Sequence, residues 1–367
     1  MGTLILLVVV LGGMIIVHEF GHFIVARLFN IEVEEFGIGL PVSPRIATLF
    51  TWHGTEFTLY PFLLGGFVRP KGENDPDVPD GLAAANPWKR LAVLFAGPLM
   101  NLLTAVVVTA IIIAQTGIAI PGKLLIVDVT AGSPAAQAGL KTNDVIVSIM
   151  GETVTDANAA IKLIRANLNK PVAIVVKRDG QDLTISATPL SSRTLEQGAL
   201  GIALGFPTRP ASPSEVITGA FADTWAGAGA LAYLPIGLIQ GAIQPNQVHF
   251  TGFKGMYDVL NSAVQQDSQS RQQISQAPAG STTPPAPPTD DVLSVIVLLS
   301  ITLGIFNLFP IPALDGGRIL FTLPEILIRR RIPTRFENTV NAIAFFLLIG
   351  LMVYVNVMDF INPLKLP

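Results

Sequence analysis

Residues 3–28 are apolar but for the cluster His18, Glu19 and His22 and an Arg at the end, Arg27. As a helix they are long enough to cross a hydrocarbon core of about 30 Å. Three further runs, 91–120, 292–314 and 338–361, have the same character, and the 292–314 run stops at Pro310 and Pro312, which have no backbone N–H to give. Composition agrees: 50% of the chain is hydrophobic and 13% charged, against about a quarter charged in soluble domains. The expected fold is therefore a polytopic α-helical membrane protein of about four spans. The first run lacks the basic leader and small-residue cleavage site of a signal peptide.

Lys and Arg in short loops orient such a chain. Arg27 at the end of the first run and Arg45, Arg69, Lys71, Lys89 and Arg90 after it precede the second, and Arg318, Arg329, Arg330, Arg331 and Arg335 follow the 292–314 run. Both loops, 29–90 and 319–337, are expected in the cytoplasm, which leaves the chain between 120 and 291 outside. Residues 214–243 are apolar enough to tempt assignment as a crossing, but one extra span would reverse the next and carry the Arg-rich loop outside. An amphipathic segment at the interface is expected instead. Residues 262–291, rich in Gln, Ser and Pro, carry too few aliphatics to form a core and are expected to be a flexible tether, so that 191–291 is amphipathic segment plus tether. A net charge of −3 gives no reason to expect a nucleic-acid partner.

Residues 121–190 change period. Residues 124–129 and 144–149 are strand-like, 157–168 carry Ile161, Ile164 and Leu168 at helical spacing, and 172–177 and 183–188 flank Asp179-Gly180, a hairpin signal. This is an inserted α/β domain. The string VDVTAGSPAAQAGLKTNDVIVSIMGETV resembles a bacterial PDZ domain. Such domains add an extended peptide as a strand beside a helix and often capture its carboxylate on loop N–H groups. The loop Gly122, Lys123, Leu124 is the expected capture point, with a domain that filters access by bulk as the alternative.

His18-Glu19-Phe20-Gly21-His22 has the form H-E-x-x-H, which on a helix points both imidazoles from one face. Glu19 is then placed to take a proton without ligating. Ionisable groups at membrane depth are costly and normally functional. With no cysteine in the chain, any ion must be held by His, Asp or Glu. A hydrolytic zinc needs a third protein ligand. His53 and His249 are in loops on opposite sides of the membrane by the topology above. Asp315, at the end of SITLGIFNLFPIPALDGGR, is expected at the same level as His18 and is the better donor, although alone it would pass for a helix-end carboxylate beside Arg318.

HEFGH in the first span, NPWKRLAVLFAGPLMN entering the second, the inserted domain, and NLFPIPALDGG in a third span of 292–318 together resemble the site-2 protease family of intramembrane zinc metalloproteases, in its bacterial form with a single extracytoplasmic PDZ domain. The resemblance implies zinc on His18, His22 and Asp315, and Glu19 as general base and later proton donor. It also implies roles at the substrate for Asn307 and Asn101. Some relatives carry a further Asn where this chain has Thr302. Gly65, Gly66 and Phe67, in LLGGFVR, are implied to form a re-entrant β element that pairs with substrate; from the residues alone they form an edge strand or a plain turn. Expected partners are the lipid bilayer and single-span membrane proteins such as anti-sigma factors or remnant signal peptides. The expected location is the bacterial inner membrane, with the active site near the cytoplasmic face. Two other classes fit less well. A PDZ-bearing adaptor with a structural or degenerate metal site has no need of Glu19, and a transporter with a proton relay predicts internal repeats, which the sequence lacks.

Overall fold

A computed structural model describes residues 2–63, 65–191, 198–244, 251–275 and 290–361. The chain forms two compact units, one of Met1–Ile112, Ile217–Ser268 and Asp290–Leu366, the other built on Ile113–Val216.

The first unit opens with α1 (Gly2–Leu28). It ends in a left-handed residue, Asn30, with Ile31 N–H donating to the Ala26 carbonyl at 2.9 Å and Asn30 N–H to that of Arg27 at 3.1 Å. This paired closure turns the chain sharply back. It returns as β1 (Val33–Ile38), β2 (Ala47–Trp52), β3 (Thr55–Leu59) and β4 (Gly66–Pro70), in sheet order β2-β3-β1-β4. Strand β1 is parallel to β3 and antiparallel to β4. Phe23 of α1 meets Phe36 and Phe57 of the sheet edge to face, so the sheet packs against the helix through aromatic rings. The returning chain passes the middle of α1: a Cβ on Gly66 would touch Ile16 and Glu19, and one on Gly12 would lie 2.9 Å from the Leu63 carbonyl. Helix α2 (Pro87–Thr116) starts on an Asn86 cap, whose Oδ1 accepts from Trp88 N–H at 2.9 Å, with Pro87 in the first turn where its missing N–H costs nothing.

The second unit contains β5 (Ile118–Ala119), β6 (Leu124–Val129), α3 (Pro134–Ala138), β7 (Val145–Ile149), β8 (Glu152–Thr153), α4 (Ala157–Ala166), β9 (Val172–Arg178), β10 (Gln181–Ala187), β11 (Ile202–Gly205) and β12 (Thr208–Arg209). Ser133 caps α3 and Gly139 closes it in the left-handed region, as SPAAQAGL suggests. Asp179 and Gly180 both have positive φ, the geometry of a tight hairpin turn. The main sheet runs β10-β9-β7-β6-β11 over a core that includes Leu124, Ile126, Ile149, Ile174 and Val176. It does not end near residue 190: β11 crosses back to pair with β6, Ile202 opposite Val129 and Gly205 opposite Leu125.

Asp144, buried at 1% side-chain exposure, is gripped by Arg178 Nε at 2.7 Å and Nη2 at 2.6 Å. Its Oδ2 also accepts from Lys141 N–H at 2.9 Å. Arg178→Met leaves that carboxylate buried and unpaired, and is expected to destabilise this unit by about 3 kcal/mol. Hydrogen exchange of β7 and β9 in the full chain measures it. Adding Asp144→Leu should recover part of the loss, and a single variant as protected as wild type would refute the estimate.

The remaining elements are α5 (Pro213–Ile239), α6 (Phe253–Ser275), α7 (Asp291–Leu308), α8 (Asp315–Ile328) and α9 (Thr334–Ile361). Helix α5 buries a row of small residues, Ala220, Thr224 and Ala228, and packs at Ala228 against Ala105 of α2 and Ile301 and Ile305 of α7. The expected tether is instead helical as far as Ser275. Gln and Arg are good helix formers and no Pro occurs before Pro278, so a stretch poor in aliphatics need not be irregular; residues 276–289 lie outside the described residues. Helix α6 joins α1, where Thr3 Oγ1 donates to Asn261, and α9, where Asp359 accepts from the N–H groups of Gly252 at 2.6 Å and Gly255 at 3.0 Å.

The expected third span, 292–318, is two helices: α7 stops at Leu308, and α8 begins at Asp315. Pro310 and Pro312 cannot continue the ladder, so the chain must restart. The segment 319–337, expected to be a loop, is helical to Ile328. Helices α1, α2, α7 and α9 are long and apolar enough to cross a membrane, and the protein is a multi-pass membrane protein.

Candidate metal centre

Helical periodicity places His18 and His22 one above the other on α1, with Nε2 atoms 3.2 Å apart. Asp315 enters from the first turn of α8, its Oδ2 at 3.1 Å from His18 Nε2 and 3.4 Å from His22 Nε2. Two ligands held at 2.0–2.1 Å on a tetrahedral zinc lie about 3.3 Å apart, so the three spacings are those of one shared ion. Asp315 Oδ2 is also a buried oxygen that receives no hydrogen bond. Three electron-pair donors converging on one point, one of them a carboxylate oxygen that receives no hydrogen bond, fit a shared cation.

The outer ring nitrogens orient the ligands. His22 Nδ1 meets the Val93 carbonyl at 2.7 Å, which fixes the proton on Nδ1 and turns the Nε2 lone pair inward. His18 Nδ1 lies 3.1 Å from the amide of Asn101, a fully buried residue whose Oδ1 is without a partner. Turning the amide over lets Oδ1 accept from Nδ1–H and leaves Nε2 free to ligate. Asp315 is held by its turn. A Cβ on Gly316 or Gly317 would overlap the carbonyls of Phe309 and Ile311, and Ala313, at φ 76°, is pinned by its N–H to Asn341 Oδ1 at 3.0 Å.

A cavity of about 290 Å³ opens beside the triad, lined by Glu19, Phe67, Val68, Asn307 and Arg318 among others. Glu19 Oε2 accepts from Val68 N–H at 3.1 Å, which places the carboxylate between the triad and β4. Strand β4 is an edge: one side pairs with β1, the other faces Glu19. Gly66 comes close to Glu19, Phe67 meets Tyr60 edge to face, and Gly65 lies by Leu40. Asn307 lines the cavity, but its amide donates to the Leu303 carbonyl of its own helix at 3.0 Å. His53 stands in the β2–β3 turn beside Trp52, away from the triad, and His249 lies outside the described residues.

Sequence reasoning missed three contributors. Gly97 of α2 packs directly over both imidazoles. Val93 orients His22 through a backbone atom, which no side-chain pattern could announce. Arg318, one turn after Asp315, reaches Glu73 at 2.5 Å and Asn74 at 2.8 Å and so ties α8 to the chain leaving β4.

In the second unit, Gly122 and Lys123 are exposed, and Leu124 is buried in β6 opposite Ile146. An open groove of about 800 Å³ lies between β11 and α4, lined by Ile161, Arg165, Leu168, Gly201 and Ile202 among others. Strand β11 arrives from beyond residue 190 and takes the edge position of the sheet.

Comparison with known proteins gives the family. The model of peptidase family M50 matches residues 6–351. A Clostridium perfringens protein bearing the name "putative zinc metalloprotease" is 32% identical over 96% of this chain and 97% of its own length. A similarly named protein of Mesorhizobium japonicum is 29% identical over 97% of each chain. Metalloprotease MmpA of Caulobacter vibrioides is 28% identical over 96% of this chain and 93% of its own.

Proposed function

The chain belongs to peptidase family M50, the site-2 protease family of zinc metalloproteases, and from that premise we propose that it hydrolyses peptide bonds in or beside the membrane-spanning segment of single-span proteins. The observation that carries this is the position of His18, Glu19 and His22 on a helix long and apolar enough to span the membrane, with Asp315 of α8 converging on them beside an open strand edge. A peptide bond within a helix has its backbone groups tied up and must be drawn out before it can be attacked. Strand β4 offers the outward backbone groups to receive it as an added strand. Gly66, which brings no side chain, and Phe67 shape that edge.

His18, His22 and Asp315 would hold the ion. When bound, zinc supplies Lewis acidity, which acidifies water and polarises a peptide carbonyl. Glu19 accepts the proton as the water oxygen bonds to the carbonyl carbon, and returns it to the amide nitrogen as the carbon–nitrogen bond breaks. Asn101 keeps His18 in its ligating tautomer, and Asn307 borders the space for the substrate chain. The Lys and Arg of segments 29–90 and 319–337 support a reading with this end of the bundle at the cytoplasmic face of the bacterial inner membrane and the inserted unit outside. Anti-sigma factors and remnant signal peptides have the right form for substrates. A structural metal site in an adaptor would leave Glu19 without a task.

The test is to express wild type and Glu19→Gln in membranes and compare the single-span proteins that accumulate. Small spans that persist only with the variant, and that purified wild type cuts within or next to the span, are the expected result. Identical profiles would refute the proposal.

For the inserted unit the proposed role is a PDZ-like recruiter that takes an extended peptide on the open edge of β11 beside α4. Ile161→Asp puts a charge in that groove, and is expected to lower cleavage of a substrate with an outer tail while leaving a tailless span unaffected. Equal effects on both would favour a filter by bulk.

A further inference from the structure

One hydrogen bond at the centre has no part in the reaction just described. Val68 stands opposite Phe36, between the pairs Gly37–Phe67 and Glu35–Arg69. Outward and inward groups alternate along an antiparallel strand. The Val68 N–H therefore points away from β1, and it donates to Glu19 Oε2 at 3.1 Å. Of the other residues facing that way, Pro70 has no N–H, and Gly66 lies at the far end of the strand. The Val68 amide is thus the donor at the middle of the open edge, and a strand added to β4 needs it.

We infer that Glu19 and substrate compete for the Val68 N–H, so that an extended segment docks on β4 by displacing the Glu19 carboxylate and thereby frees the base for the reaction. This rests on the proposed proteolytic function and deepens it. A segment that is still helical has its carbonyls bonded within itself and cannot displace an anionic acceptor. One that has unwound brings a free carbonyl to the same N–H. Val68 then acts as a specificity-determining position through its backbone: Glu19 is released only to a chain already in the form that can be cut. Side-chain identity at 68 plays no part, which is why the pattern LLGGFVR does not betray the role.

Glu19→Ala and Glu19→Gln separate this from a merely structural contact, because Gln keeps an oxygen acceptor and Ala does not. Both lack the base, so a bound peptide stays intact. The probe is a synthetic single-span Leu/Ala peptide with a central Gly-Pro pair, titrated against each zinc-loaded variant in lipid nanodiscs. The Ala variant should bind about fivefold more tightly, as one net hydrogen bond would give. Without peptide, its Val68 amide should exchange with deuterium faster than in the Gln variant. Val68→Pro, which removes the donor on the side of the edge strand not paired with β1, should abolish the difference in affinity. Equal affinities, or equal exchange without peptide, would overturn the competition while leaving proteolysis by wild type standing. Failure of both variants to bind the peptide would overturn the competition and strand docking together.

Discussion

Glu19→Gln protein is expected to hold zinc at the wild-type ratio and to cleave about 10²- to 10⁴-fold more slowly, the range that loss of a general acid–base gives. His22→Ala should lose metal and cleavage together. The difference follows from where the atoms stand. The donors that converge are those of His18, His22 and Asp315, whereas the Glu19 carboxylate is turned to the Val68 N–H. Gln matches Glu in size and still offers an oxygen to that N–H, so the fold is spared and only proton acceptance is lost. Removing the His22 ring takes away a ligand atom that lies 3.2 Å from His18 Nε2 and 3.4 Å from Asp315 Oδ2, and it orphans the Val93 carbonyl as well. Metal analysis after purification without chelators, paired with cleavage of one single-span substrate, reads both quantities. Zinc lost from the Gln variant, or kept by His22→Ala, would mean that the triad is not the metal site.

What could be foreseen from sequence divides by distance along the chain. H-E-x-x-H was legible because the four-residue spacing acts within one helix, and the Ser133 and Gly139 caps of α3 and the Asp179-Gly180 hairpin were legible for the same local reason. Asp315 was found from the loosened backbone around it, yet the same prolines that marked it also split the span, so it starts a helix rather than ending one. The open edge at Gly66–Arg69 was recognisable, but not its neighbour β1, since a sheet with the parallel pair β1–β3 is assembled from segments no local pattern joins. The clasp between Arg318 and Glu73 spans 245 positions and leaves no trace in either segment. The edge strand of the inserted unit escaped notice for a related cause: it is contributed by residues 202–205, past the point where the domain pattern fades.

Gly97→Ala tests a part of the centre that carries no chemistry of its own. A Cβ there would overlap His22 Nε2, approach His22 Cε1 to 2.6 Å and stand 2.8 Å from His18 Nε2, in the space where the ligand lone pairs converge. Relief by parting the helices would give up the close packing one turn of α1 away. A Cβ on Gly21 would overlap the Ala96 carbonyl and reach Met100 Cγ at 2.7 Å, so the backbones of α1 and α2 already touch. Small residues permit such an approach between membrane helices, and here they set the distance from which both imidazoles are presented. The added methyl must therefore turn the rings rather than move the helix. The Val93 and Asn101 contacts that fix the ring tautomers cannot follow, and changes of that kind cost about 10- to 100-fold in metal affinity. Gly13→Ala, on α1 with open space around its Cα, is the matched control and should bind zinc as wild type does. Competition against a chelator of known affinity measures both. A Gly97→Ala protein that retains zinc as tightly as the control would show that α2 does not shape the centre, and would return the orientation of the two imidazoles to α1 and Asp315 alone.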